Sequence, residues 1–129
     1  MTQYRLATTA NDYVQAHKLA RENNHYFERF SFPTVLAWKG DELTGMLATT
    51  IRQKMIIAGP LCLKGGQRRS FTLIRLIDFY DVVMRKAGIK SYIFAVENSN
   101  REWIDKINKT FDISPYSYKN GMAFYVRKL

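Results

Sequence analysis

An α+β fold is what the sequence predicts: a central mixed sheet of about seven strands, flanked by helices on both faces. Three observations carry this. Apolar runs of strand length alternate with amphipathic helical stretches in the order β, α, β, β, β, α, β, α, β, β. The segment from residue 55 to residue 96 reads as strand, glycine-containing loop, helix, strand, a crossover that leaves its two strands parallel. Asn120-Gly121 separates two short strand-like runs and is the strongest local hairpin signal.

The elements follow in order. Residues 3–8 predict a short strand, and Thr8 to Asp12 supply caps for a helix over 12–23. Tyr13, Ala16 and Ala20 fall on one side of that helix, with Val14 and Leu19 near it. The stretch from His25 to Phe32 is aromatic and irregular, and Pro33 argues against a helix running through it. Residues 34–38 and 43–52 predict a hairpin around Lys39 to Glu42, with Gly45 marking a bulge. Met55 to Leu63 is a third apolar run. Pro60 inside it requires an edge, a bulge or a splay, because proline donates nothing to a ladder.

After the basic loop from Lys64 to Arg69, Ser70 or Thr72 caps a helix that runs to about Ala87. Leu73, Leu76, Ile77, Tyr80 and Met84 line one face of it, and Gly88 ends it. Ser91 to Val96 reads as a buried strand. Ser99 to Glu102 is a capping box, and Trp103, Ile104 and Ile107 give the helix behind it an apolar side. Residues 116–119 and 122–126 close the chain as a hairpin.

Length and composition agree with one domain over residues 1–129, and 47% apolar residues are enough for a real core. A single cysteine, Cys62, excludes a disulfide scaffold and a multi-cysteine zinc site. Neither His17 nor His25 has further ligands at a sensible spacing, so no metal is expected. No apolar run reaches membrane-spanning length and no signal-like stretch opens the chain, so a soluble, cytoplasmic protein is expected.

The formal charge of +9 is uneven. Residues 1–50 balance, whereas residues 64–90 hold seven basic side chains against Asp78 and Asp81. Such a segment attracts phosphates, carried by a polynucleotide or by a small ligand, or is simply a solvated face.

With these residues in place, the chain resembles the GNAT superfamily, the N-acetyltransferases that use acetyl-coenzyme A (acetyl-CoA). The likeness covers nearly the whole sequence. Counting back from Gly88 through Met84, Tyr80 and Leu76-Ile77 puts Arg68 at the family's arginine. Arg69, Ser70 and Phe71 then occupy its Gly-x-Gly positions, and Leu73 a further glycine position, so the pyrophosphate loop is degenerate. Val96 to Asn100 resembles the end of the family's fifth strand, with Asn100 at its recurrent asparagine. The family's tyrosine acid would fall at Ile107 and is missing there.

The resemblance implies acetyl transfer to an amine, a small molecule or a peptide, in a cleft where two parallel strands splay. Those strands end near Leu63 and Val96, and Gly59-Pro60 fits either the splay or a plain edge kink. Backbone N–H groups at Leu61, Cys62 and Leu63 would hold the pantetheine arm. Arg68, Arg69, Ser70 and Phe71 at the helix start would hold the pyrophosphate, unless that loop is only solvated. Asn100 would contact the coenzyme or cap its helix. Glu97 is a candidate base, or a surface residue. Tyr116 is a candidate acid, with Tyr118 beside it, or a packing residue. Glu22, Asn23, His25 and Tyr26 fall where the family builds its acceptor wall, and His25 is a further candidate base. The Cys62 side chain reads as a small buried hydrophobe.

Two other readings stand beside acyl transfer. One is a GNAT-fold protein without catalysis, which the degenerate loop and missing tyrosine support. The other is a basic nucleic-acid-binding domain, for which no recognition motif appears. The aromatics of residues 26–32 suit a substrate wall or a dimer contact.

Overall fold

The computed structural model describes residues 1–25, 31–65 and 70–129. These form β1 (Thr2–Leu6), α1 (Ala10–Glu22), β2 (Ser31–Lys39), β3 (Glu42–Arg52), β4 (Met55–Leu63), α2 (Ser70–Lys86), β5 (Ser91–Glu97), α3 (Arg101–Phe111), β6 (Ser117–Lys119) and β7 (Met122–Lys128). The order is the expected one. The strands make one seven-stranded sheet ordered β1-β2-β3-β4-β5-β7-β6. β1 to β4 pair antiparallel, as do β5, β7 and β6, and β4 and β5 are parallel.

Local chemistry explains the boundaries. Thr9 caps α1 and completes a capping box with Asp12. Arg5 donates to both Asp12 oxygens, at 3.1 and 3.0 Å, which ties β1 to the start of the helix. Asn120 and Gly121 both have positive φ, 53° and 76°, as a two-residue hairpin turn needs.

The helices divide between the faces. Ala16, Leu19 and Ala20 of α1 pack with Leu36, Trp38, Met46 and Cys62 on one side. Leu73, Leu76, Ile77 and Tyr80 of α2 join Trp103, Ile104 and Ile107 of α3 on the other. β3 is buried on both sides over most of its length because it lies beneath both layers.

Several expectations need correction. β2 extends through Pro33, whose carbonyl accepts from the Thr49 hydroxyl at 2.6 Å. The bulge near Gly45 falls on Thr44: Ala37 pairs with Gly45 and Trp38 with Leu43, which leaves Thr44 as the extra residue. Val14 is 61% exposed, because the buried stripe of α1 runs through Asp12, Ala16, Leu19 and Ala20. Thr72 lies inside α2 rather than capping it. Asn100, not Ser99, caps α3: its side-chain oxygen accepts from Trp103 N–H at 3.3 Å.

Candidate active site

The two halves of the sheet meet through a single backbone pair, Ile57 with Ile93. Toward their C-terminal ends β4 and β5 part. The cause on β4 is a bulge: Gly59 and Pro60 together oppose Ala48, between the pairs Ala58–Thr49 and Leu61–Leu47. The break expected at Gly59-Pro60 is therefore a bulge at the point of splay.

Backbone direction beyond the bulge follows from register. Lys64 N–H donates to Thr44 O at 2.8 Å, so the 64–44 pair is hydrogen-bonded. Two residues back, Cys62 and Met46 form the same kind of pair. Leu61 and Leu63 alternate with them, so their N–H and C=O groups turn away from β3, toward the β5 side. Beyond Ile57 no pair with β5 consumes them. The backbone groups of Leu61 and Leu63 thus face the gap between β4 and β5. Cys62 is turned the other way, with its backbone on β3 and its thiol in the α1-side core.

The gap is a cleft of about 350 Å³. Ile57 to Leu61 and Leu63 form one wall, and Phe94 to Glu97 the other. Leu73 and Ile77 of α2 lie in it with Tyr92, Trp103 and Ile107, and Asn23, His25 and Met122 also line it. The walls are apolar, and the polar groups gather at Glu97, Asn100 and the α1 end.

The expected site residues fall unevenly around this cleft. Glu97 ends β5 at the cleft wall, exposed, and its carbonyl accepts from Asn100 N–H at 2.9 Å. Asn100 both lines the cleft and caps α3. His25 lines it too, with its N–H on Ala20 O at 2.8 Å, while Glu22 is exposed at the end of α1 outside the lining. Ser70 opens α2, and Phe71 in the first turn is 68% exposed with the Arg75 guanidinium 5.2 Å from its ring centre. Tyr116 is 59% exposed and outside the cleft lining; its ring packs near Phe124, and its N–H donates to Phe124 O. Tyr26, Arg68 and Arg69 lie outside the described residues.

Sequence reasoning missed a buried polar cluster at the apex of the splay. Asp81, 2% exposed, accepts from the Tyr92 hydroxyl at 2.6 Å and from Arg127 Nε and Nη2 at 3.1 and 3.0 Å. Burial pushes the Tyr92 hydroxyl above its ordinary range, and the Asp81 charge adds to this. Burial likewise pushes Tyr80 up to about 12. Both tyrosines therefore stay protonated donors at neutral pH. The one sequence signal was Asp81 lying next to Tyr80 on the helix's apolar face.

Among the described residues no group of three or more His, Cys, Asp or Glu residues is placed to hold a metal, and no helix is long and apolar enough to cross a membrane. No family model and no curated protein matches the chain. Solved structures do. An N-acetyltransferase from Staphylococcus aureus Mu50 superposes with a TM-score of 0.71 at 12% identity, over 99% of this chain and 97% of that one. Aminoglycoside 6′-acetyltransferase type Ii gives 0.74 at 12%, over 98% and 96%. A GNAT family acetyltransferase from Elizabethkingia anophelis, with acetyl-CoA bound, gives 0.65 at 12%, over 99% and 98%. The chain has the fold of the GNAT acetyltransferases.

Proposed function

We propose that residues 1–129 form one N-acyltransferase domain that moves an acetyl group from acetyl-CoA to an amine. The observation that carries this is the β4–β5 gap, into which Leu61 and Leu63 turn backbone groups that no pair among the described residues claims. A chain bearing amides can lie there as a substitute strand. The apolar walls exclude water from the carbonyl it delivers. The three solved structures above support the reading through their shared fold, and one of them holds acetyl-CoA.

The thioester supplies the activated acyl carbon, and the chain's own residues do the rest. Leu61 and Leu63 N–H groups orient the pantetheine amides and donate to charge developing on the acyl oxygen. The start of α2 at Ser70 and Phe71 presents its helix-terminal N–H groups to the pyrophosphate, with Arg68 and Arg69 just before it in sequence. The net charge of +9 draws the polyanionic coenzyme in. Glu97 at the cleft wall takes the proton from the acceptor ammonium, directly or through one water. Asn23, His25 and Met122 form the acceptor side. The acceptor is a small-molecule or peptide amine. The reading places the protein in the cytoplasm, with the coenzyme.

A thiol-release assay with acetyl-CoA across a panel of small and peptide amines tests this. Amine-dependent thiol release that falls about a hundredfold in Glu97→Gln supports it. Binding of acetyl-CoA without release for any amine would leave a coenzyme-binding protein and sink the catalytic reading.

A further inference from the structure

The apex of the cleft has little backbone holding it. One pair, Ile57–Ile93, joins the β1–β4 half of the sheet to the β5-β7-β6 half. A parallel contact of one residue is weak support for a defined gap. Side chains of α2 add what the ladder lacks.

Consecutive residues of α2 reach to opposite sides of the apex. Tyr80 bonds the Thr49 hydroxyl at 2.7 Å, and Thr49 in turn donates to Pro33 O at 2.6 Å. Thr49 has one hydroxyl proton, so Tyr80 is the donor in its bond. Thr49 pairs with Ala58, next to Ile57, so this arm grips the β4 side through β2 and β3. Asp81 binds the other side, through Tyr92 of β5 and Arg127 of β7. Tyr92 directly precedes Ile93. The Tyr80 and Tyr92 rings meet edge to face, centroids 5.1 Å apart, which fixes the two arms against each other. Arg127 is held in turn over the Phe111 ring of α3 at 4.5 Å.

We propose that Tyr80 and Asp81 are positioning residues: together they clasp the two half-sheets at the Ile57–Ile93 apex and so set how far β4 and β5 part. The role in cofactor binding rests on the acyl-transfer reading above; the clasp itself does not. Thr49, Tyr80 and Asp81 are buried and lie outside the cleft lining, while Tyr92, also buried, lines it. They act through the strands they hold.

The test uses Thr49→Val and Tyr92→Phe, which remove one hydroxyl from each arm and keep side-chain shape. Leu36→Val, in the core on the α1 side, serves as a destabilised control. Each variant is titrated with coenzyme A well below its Tm. Amide hydrogen exchange is followed in segments 55–63 and 91–97. The clasp predicts about fivefold weaker binding in each hydroxyl variant and faster exchange in both segments, with neither change in Leu36→Val. Unchanged binding and exchange in Thr49→Val and Tyr92→Phe overturns it, as does an equal change in Leu36→Val. If the wild-type protein binds no coenzyme A, the acyl-transfer reading fails, and exchange alone decides the clasp.

Discussion

Gly45 of β3 lies opposite Leu63 of β4, and a β-carbon on Gly45 would stand 3.0 Å from Leu63 Cδ2. Leu76 Cδ1 and Thr72 Cγ2 of α2 would be 3.1 and 3.3 Å away. The bare backbone lets α2 settle on the sheet beside the cleft wall. Those neighbours are side-chain tips that can yield, so Gly45→Ala folds but is overpacked, losing about 1 kcal/mol. A thermal melt should show Tm lower by roughly 3–5 °C. An unchanged or higher Tm contradicts the close packing.

Two aspartates of α2, three positions apart, should behave differently. Asp78 is exposed, while Asp81 is buried with Arg127 and Tyr92 on its oxygens. Asp81→Ala leaves a guanidinium with 16% side-chain exposure uncompensated, at a cost of about 3 kcal/mol. Asp78→Ala should stay within about 0.5 kcal/mol of wild type. Urea denaturation of the pair measures the contrast, and equal losses would count against the buried cluster.

The Asp12 carboxyl predicts a pH dependence. Burial pushes it up, but the N–H groups of Thr8 and Thr9 and the Arg5 guanidinium outweigh burial and hold it below the usual carboxylate range. A lowered folded value means stability present above the unfolded value near 4 and lost as pH falls through the folded one. Asp12→Ala should cost about 2 kcal/mol at pH 7 and progressively less below about pH 4. Denaturation at pH 7 and pH 3 reads this directly; a cost that holds constant between them refutes it.

Cys62 is fully buried, and burial pushes its thiol up to about 12. Thiolate is then negligible at neutral pH. A disulfide reagent such as dithiobis(nitrobenzoate) should leave the native protein untouched and titrate one thiol in denaturant. Fast modification of the native protein would place the sulfur elsewhere.

The sequence predicted the sheet and its helices because their signals are local. The Asn120-Gly121 turn, the Thr9 cap and the Trp103, Ile104, Ile107 stripe each lie within a few residues. Pro60 announced a break in the ladder, as an edge, a bulge or a splay, because a missing N–H is a property of one residue. What stayed hidden depends on distant partners. Asp81 is buried only because Tyr92 and Arg127, 11 and 46 residues on, arrive to satisfy it. Gly45 looked like a bulge because the approach of Leu76 and Thr72 is not written beside it. Ser99 and Asn100 are both good caps, and only the chain's path past Glu97 chose the second. Tyr116 next to Pro115 suggested packing or acid chemistry, and no local rule shows that it stays largely exposed with its ring near Phe124.

The β4–β5 gap is the proposed seat of the coenzyme. Ala95 is exposed on β5 and lines the gap, so an indole there would fill the space without touching the core. Calorimetric titration of wild type and Ala95→Trp with coenzyme A tests this directly. A Kd of roughly micromolar order is expected for wild type, and at least about tenfold weaker binding in a variant that melts at the same temperature. Equal affinity in both proteins, or no binding by wild type up to millimolar ligand, would contradict it.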